Sequence, residues 1–103
     1  MGGEVNGFVR RKTAQGDVGL GGIRITFVNL SRETVTTVTT FSNGEYYYLG
    51  LLPGKYRAYI DPEQLERYGY ATEPGDIQFE LEQVEGGAIV SDLDFLLVPK
   101  DTQ

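Results

Sequence analysis

The feature that most constrains the fold is an alternation of apolar and polar residues that runs along most of the chain. In "GGIRITFVNL" the side chains of Ile23, Ile25 and Phe27 fall on one face, and those of Arg24 and Thr26 fall on the other. Successive side chains of a strand point to opposite faces, so a period of two is typical of a strand buried on one side. The segment therefore predicts a strand that covers a core.

Six further segments predict strands in the same way: "EVNGFVR", "ETVTTVTTF", "EYYYL", "LLPGKYRAYI", "DIQFEL" and "SDLDFLLVP". The Thr-rich segment is dense in β-branched residues, which pack well on a pleated surface. Turn signals lie between the segments, and Asn43-Gly44 and Pro53-Gly54 are the clearest. Asn43-Gly44 tolerates positive φ, so we predict a tight hairpin there, with a two-residue loop or a four-residue loop that begins at Phe41.

The alternation also predicts which side chains form the core. The inward residues are Val5, Val9, Tyr56, Ala58, Ile60, Ile77, Phe79, Leu81, Leu93, Phe95 and Leu97. One segment, "DPEQLERYGY", breaks the pattern and predicts one or two helical turns. Asp61 is suited to the N-cap, Pro62 to the first helical position and Gly69 to termination after Tyr68.

Seven strands with regular turn signals and one short helix predict an all-β fold, an antiparallel seven-stranded β-sandwich. The 103 residues suffice for a single domain, which we expect over residues 4–99, with flexible ends at residues 1–3 and 100–103. We find no sign of a second domain or a linker.

Composition excludes several classes of function. The net charge of −6 would be repelled by nucleic acid and by anionic membrane surfaces. The chain contains neither histidine nor cysteine, which are the commonest metal ligands and nucleophile partners in enzymes. We therefore expect no catalytic activity, no metal and no cofactor. No apolar run of about 18 residues occurs, so we expect no membrane insertion.

Two stretches carry a resemblance to a known family. "DVGLGGIRITF" and "SNGEYYYLGLLPGKY" closely resemble the carboxypeptidase-regulatory-like and collagen-adhesin B-type domains, over about residues 5–81. The resemblance implies a prealbumin-like sandwich of the transthyretin-like or Ig-like kind. It further implies that Tyr46, Tyr48, Leu51 and Tyr56 point into the sandwich, and Tyr47 is expected outside.

Some members of that family form an internal isopeptide bond, and this chain departs from their pattern. The resemblance places the amine position on Arg11, whose guanidinium is not a usable nucleophile, and the assisting acid on Ile60. Lys12 is one residue away and so on the opposite face. Asp92 and Asp94 are the only acyl partners that the chain offers. We therefore expect no isopeptide bond.

Other relatives bind calcium or act as enzymes. Calcium-binding relatives carry an acidic loop between their first two strands, and "RKTAQGDVG" supplies only Asp17, which is too few oxygen ligands. The hydrolases and dioxygenases on related sandwiches depend on histidines that this chain lacks.

Exposed tyrosines are the candidate ligand-binding residues. Tyr47 and Tyr59 have outward parity on strands expected to be neighbours, and Tyr68 and Tyr70 lie at the end of the helical turn, so the four could form a platform for sugar rings. The alternative is that they are ordinary surface aromatics of a β-sheet. The acidic pairs Glu80/Glu82 and Asp92/Asp94 are expected to point outward and discourage aggregation at strand edges.

These observations predict a non-catalytic accessory or spacer module of a larger protein that is extracellular, periplasmic or on the cell surface. Its expected partners are neighbouring domains of the same chain. The alternative function is a carbohydrate- or protein-binding module that uses the exposed tyrosines. Adhesins and other bacterial surface proteins are the implied context.

Overall fold

A computed structural model describes residues 2–100, which form ten strands and one helix. The first five strands are β1 (Gly3–Thr13), β2 (Gly16–Gly19), β3 (Arg24–Asn29), β4 (Val35–Thr39) and β5 (Glu45–Leu51). The others are β6 (Gly54–Ile60), β7 (Tyr70–Glu73), β8 (Ile77–Leu81), β9 (Ile89–Val90) and β10 (Phe95–Pro99), with α1 (Pro62–Tyr68) between β6 and β7. No helix of the described part is long and apolar enough to cross a membrane.

The strands form two sheets, and the predicted β-sandwich is confirmed. One sheet has the order β4-β3-β6-β8, and all its pairs are antiparallel. In the other sheet β1 is central, and β2, β5, β9 and β10 all pair with it, while β7 pairs with β10. All seven predicted strands are present. The three additional strands, β2, β7 and β9, have only two to four residues, too few for a period to be recognised.

The core lies between the sheets and consists mainly of inward strand residues, joined by Ile23 and Leu93 from just outside the strands. Within residues 2–100, fourteen apolar residues are buried: Val5, Val9, Ile23, Ile25, Phe27, Tyr46, Leu51, Tyr56, Ala58, Ile60, Leu81, Leu93, Phe95 and Leu97. Ile77 and Phe79 are partly buried and pack against this cluster. The Tyr56 and Phe79 rings stack at 5.4 Å. The inward faces predicted from the alternation are therefore confirmed.

Two of the three consecutive tyrosines belong to the core. Tyr46 is completely buried, and Tyr48 is partly buried against the same cluster. Tyr47 is 49% exposed, as the alternation requires. Burial of rings of this size contributes several kcal/mol at each site, on the order of 3–5 kcal/mol for truncation to alanine.

The short helix begins and ends as predicted. The Asp61 side chain caps it by accepting from the Glu63 N–H, and Gly69 ends it in the left-handed conformation. The buried side chain of Gln64 ties the helix to the four-stranded sheet, because its amide accepts from the Arg24 N–H at 2.8 Å and donates to the Gly22 carbonyl at 2.9 Å. The Arg24 guanidinium hydrogen-bonds to Asp61 and, with the Glu63 N–H, lowers the pKa of that carboxyl.

The Asn43-Gly44 turn is tight, but it does not form the predicted hairpin. The turn is the four-residue kind, in which Gly44 N–H donates to the Phe41 carbonyl at 2.8 Å. Its flanking strands β4 and β5 belong to different sheets, so the chain crosses the sandwich here. A turn signal between two alternating segments indicates that the chain reverses direction. It does not indicate whether the two strands pair with each other.

Of the ends predicted to be flexible, residues 1 and 101–103 lie outside the described part. Gly3 already belongs to β1, where it lies opposite Leu51 of β5. At the other end, Lys100 N–H donates to the Gly69 carbonyl at 2.9 Å. Backbone pairing therefore extends slightly beyond the expected domain limits.

Gly44, in this turn, is expected to tolerate substitution less well than Gly22, which precedes β3. Its φ is +88°, and a Cβ there would collide with the Val9 carbonyl oxygen of β1. Gly22 has a similar φ of +77°, but nothing lies within 4 Å of its Cβ position. We expect Gly22→Ala to cost about 1–2 kcal/mol for the left-handed conformation and Gly44→Ala about 1–3 kcal/mol more for the collision.

Urea unfolding of the two variants measures this difference directly. Equal losses of stability for Gly22→Ala and Gly44→Ala would contradict the close approach of the turn to β1.

Candidate functional site

The last strand of the sandwich is interrupted where it passes the middle of β1. β9 ends at Val90 and β10 begins at Phe95, and both run parallel to β1. In the gap, Leu93 N–H donates to the Asn6 carbonyl at 3.1 Å. The carboxylate of Asp94 accepts from the Phe8 N–H at 2.8 Å, where a backbone carbonyl would otherwise stand. We call residues 6–8 and 91–94 together the strand junction.

Gly7 allows the two strands to come this close. It is buried in the middle of β1, and a Cβ there would collide with the Leu93 carbonyl. Glycine inside a strand commonly marks a close approach of another backbone. Asp92, which has a positive φ of 63°, turns the chain on the other side of the contact. The close contact at the junction therefore depends on the absence of a side chain at Gly7.

Tyr46 completes the strand junction from β5, where it lies opposite Gly7. Its hydroxyl donates to the Leu93 carbonyl at 2.6 Å in the buried interior. Its ring packs on Phe27 of the opposite sheet, with 6.0 Å between centroids. Burial, and secondarily the nearby Asp94 carboxylate, raise the pKa of the Tyr46 hydroxyl far above its ordinary value. The hydroxyl is therefore a proton donor in a structural hydrogen bond at any physiological pH.

The charged groups of the junction lie on its outer side. The Arg10 guanidinium is 3.9 Å from Asp94 and lies over the Phe8 ring at 4.3 Å. Both ionic side chains are about two-fifths exposed, so solvent screens this pair and its contribution is small. Asp94 was expected to protect a strand edge, but it borders β10, which lies between β1 and β7. Its role is to satisfy a backbone donor.

No amine lies beside these aspartates in the described residues. Arg11 is paired with Leu97 of β10, and Ile60 is 2% exposed in the core. Lys12 is exposed and lies opposite Asp17 of β2. Because Asp94 is level with Phe8, Lys12 is four residues along the strand from it, roughly 13 Å.

The segment "RKTAQGDVG", which was compared with calcium-binding loops, has Asp17 as its only acidic residue. Asp17 is exposed and lies in β2. Within residues 2–100, no three acidic side chains are grouped as metal ligands would be.

The four candidate tyrosines are not brought together on one surface. Tyr47 lies in the β1-centred sheet and contacts Phe41 at 5.6 Å between ring centroids. Tyr59 lies in the four-stranded sheet, under the Arg57 guanidinium at 4.5 Å. The prediction that their strands are neighbours was wrong, because β5 and β6 are joined by a turn that crosses between the sheets.

Tyr68 and Tyr70 do lie together. They line a shallow groove of about 340 Å³ whose other walls are formed by Arg11, Leu20, Gly21 and Ile23. Tyr68 is 52% exposed, whereas Tyr70 is half-buried. A larger groove of about 730 Å³ lies at the Pro53 turn, and among the described residues that line it only Glu85 is charged. Two tyrosines with one guanidinium could hold a polar ring, and the described lining of the two grooves does not pair a nucleophile with a base.

Sequence reasoning missed the polar role of Tyr46 and the part played by Gly7. The signal for Gly7 was present, because "EVNGFVR" places a glycine inside an alternating strand. The bond from Tyr46 to a carbonyl more than forty residues away had no local signal.

The sequence matches no protein-family model and no curated protein. The fold, however, is shared with three solved pilins. The minor pilin GBS52 of Streptococcus agalactiae superposes with a TM-score of 0.73 at 16% identity, over 98% of this chain and 46% of that one. The major pilin subunit of Bacillus cereus gives a TM-score of 0.63 at 18% identity, over 92% and 28%. The group B streptococcus pilus 2b backbone protein gives 0.60 at 15% identity, over 95% and 41%.

The chain has the fold of part of a pilin. It spans less than half the length of each of these three proteins. The likeness supports the collagen-adhesin B-type part of the resemblance at the level of fold, and it does not confirm the carboxypeptidase-regulatory-like part. These relatives in structure are pilus subunits rather than enzymes.

Tyr46→Phe is expected to destabilise the fold by about 1–3 kcal/mol, because it leaves the buried Leu93 carbonyl without its donor. Tyr47→Phe on the same strand removes an exposed hydroxyl and is expected to change stability by less than about 0.5 kcal/mol. Urea unfolding at neutral pH tests the pair. Equal effects at the two positions would contradict the structural role of the Tyr46 hydroxyl.

The Tyr46→Phe variant also tests how the stability of the fold depends on pH. The folded protein keeps Tyr46 protonated, while the unfolded chain ionises it above about pH 10, so rising pH favours unfolding by about 1.4 kcal/mol per unit. Tyr46→Phe lacks this term. The stability gap between parent and variant should therefore narrow from about pH 10 upward, and a constant gap would show that Tyr46 titrates normally.

The intact mass is expected to equal the mass of the sequence. An isopeptide bond would lower it by about 17 Da for lost ammonia or about 18 Da for lost water. Mass spectrometry of the unfolded, unreduced chain settles this point, and either deficit would overturn the argument from Arg11, Lys12 and Ile60.

Proposed function

We propose that this chain is a non-catalytic structural module of a longer extracellular or cell-surface protein, where it separates and orients neighbouring domains. The observation that carries the proposal is the parallel pairing of the first strand with β9 and β10. It supports an in-line role because of where it places the two ends of the fold.

The ends lie at opposite extremes of an elongated body. The eleven residues of β1 span roughly 33 Å, which exceeds both shorter dimensions of a body measuring 48 × 24 × 18 Å. β1 must therefore run along the long axis. Since β10 is parallel to it, with Arg11 level with Leu97, Gly3 and Pro99 lie towards opposite ends. Domains attached before and after this one would be held apart by its length.

Tension between the ends would load the strand junction in shear. Pulling Gly3 and Pro99 apart slides β1 against β9 and β10, so the hydrogen bonds between them carry the force together. The bonds from Leu93 to Asn6 and from Phe8 to Asp94 continue this pairing through the gap between β9 and β10. The module is suited to transmit force along a surface structure, as a pilus requires.

A second candidate function is the carbohydrate- or protein-binding module. The groove of Tyr68 and Tyr70 beside Arg11 favours it, because stacked rings and a guanidinium can bind a sugar or a peptide carboxylate. Tyr47 and Tyr59 remain separate candidates on other surfaces. Binding on a glycan array, lost in Tyr68→Ala but kept in Tyr47→Ala, would favour this alternative over a pure spacer.

Single-molecule stretching tests the structural role. We expect tandem copies of the chain, pulled from their ends, to unfold at higher force than a helical reference domain in the same tether. Arg10→Cys with Leu96→Cys joins register partners of β1 and β10 in a chain that has no other cysteine. In its oxidised form, the gain in length on unfolding should be nearly abolished, and reduction should restore it.

An unfolding force no higher than that of the helical reference would overturn the proposed load-bearing role. A binding result on the glycan array would leave this mechanical outcome unchanged, so the two functions are distinguishable.

A further inference from the structure

Strand β4 is an open edge of the four-stranded sheet. It pairs with β3 on one side, and no other described strand pairs with it. Open edges offer unpaired N–H and C=O groups to other strands, and proteins usually protect them with charge, brevity, proline or irregularity. The edges of this fold differ sharply in such protection.

The other edges in residues 2–100 are protected. β8 carries Glu80, β2 is a four-residue strand with Asp17, and β9 has only two residues. β7 is also four residues long, ends at Glu73 and is followed by a proline. β5 begins with Glu45, and its ladder with β1 shifts register near Gly3.

β4 has none of these features. Residues 34–41 read "TVTTVTTF", without a charge, a proline or a glycine. Val35 is 62% exposed, and Thr37 and Thr39 are also exposed. An uncharged β-branched segment of this length on an open edge is a template for strand addition.

The direction of the free backbone groups follows from the pairing with β3. Asn29 N–H donates to the Thr34 carbonyl, and Thr40 N–H donates to the Ile23 carbonyl, each at 2.9 Å. Hydrogen-bonded positions alternate along an antiparallel strand, so even-numbered residues of β4 face β3. The backbone groups of Val35, Thr37 and Thr39 therefore point to the open edge.

We propose that two copies of this chain associate through antiparallel pairing of their β4 strands, with Thr37 opposite Thr37 of the second copy. A two-fold axis perpendicular to the sheet requires a residue to face itself, and with Thr37 on the axis the free backbone groups of Val35, Thr37 and Thr39 all pair with the second copy. Centring on Thr37 gives the longest overlap and about six backbone hydrogen bonds. The two four-stranded sheets become one continuous sheet.

This register is complementary in its side chains as well. It places Val35 opposite Thr39 on the outer face and Thr36 opposite Val38 on the inner face, so no like charges meet. The contact is isologous and uses the free edge of both copies, so it stops at a dimer. The lateral pairing is independent of the proposed in-line role.

The association is expected to be weak and to strengthen with salt. One short strand pair buries less area than a standard stable interface, which places the dissociation constant at roughly 0.1–1 mM. Each copy carries a net charge of −6, so screening of the repulsion favours the dimer.

Sedimentation equilibrium up to about 1 mM protein measures the association. We expect a monomer–dimer equilibrium, and at least about a tenfold weaker association in Thr37→Lys and in Thr37→Pro. The proline removes an N–H that points away from β3, so the fold should be retained. Gln15→Lys, in an exposed turn, is the charge-matched control and should dimerise like the parent or slightly better.

A cysteine pair tests the register. Thr37→Cys should form an intermolecular disulfide rapidly, because its α-carbon would lie about 5.5 Å from its counterpart. Thr39→Cys, exposed on the same strand, would be offset by four residues, roughly 13 Å, and should cross-link far more slowly.

Three outcomes would overturn the proposal. The first is that the protein stays monomeric at all concentrations, and the second is that it assembles beyond the dimer. The third is that the dimer persists in Thr37→Lys but is lost in Leu49→Lys, a substitution on the outer face of β5. Equal cross-linking rates for Thr37→Cys and Thr39→Cys would overturn the register.

Discussion

The structure depends on one close contact, in which the backbone of the last strand passes over Gly7 of the first. Because Gly7 has no side chain, the Leu93 carbonyl can approach β1 closely enough to meet the Tyr46 hydroxyl. Tyr46 in turn packs on Phe27 and so connects the β1-centred sheet to the other one. The pairing of first and last strands, the filling of the core and the contact between sheets are therefore coupled at a single place.

This coupling explains why the strand junction is structural. At the junction, Asp94 and Tyr46 bring a carboxylate and a phenol near each other. Each is already engaged, the carboxylate with the Phe8 N–H and the phenol with a carbonyl. Burial that raises the pKa of Tyr46 makes the hydroxyl a poorer acid and a more permanent donor.

The sequence predicted the local structure well and the long-range structure poorly. Alternation identified the seven longer strands and their inward faces, and Asp61, Pro62 and Gly69 marked the helix, because these signals act within a few residues. Alternation carries no information on which sheet a strand joins. The prediction that Tyr47 and Tyr59 point outward was therefore correct, whereas the prediction that they lie on neighbouring strands was wrong. Asp94 could not be predicted as a backbone acceptor, since its partner lies 86 residues away.

The pairing of β1 with β10 also has a consequence for synthesis on the ribosome. β1 is made first, and its parallel partner is nearly the last segment of the described chain to leave the exit tunnel. Until then Val9 and the neighbouring inward residues have no cover on that side, and closing so long a loop is slow. The nascent chain must keep its apolar face from other polypeptides until β10 has left the tunnel, so this domain completes its fold only after its last strand is made and is sensitive to any truncation before residue 95.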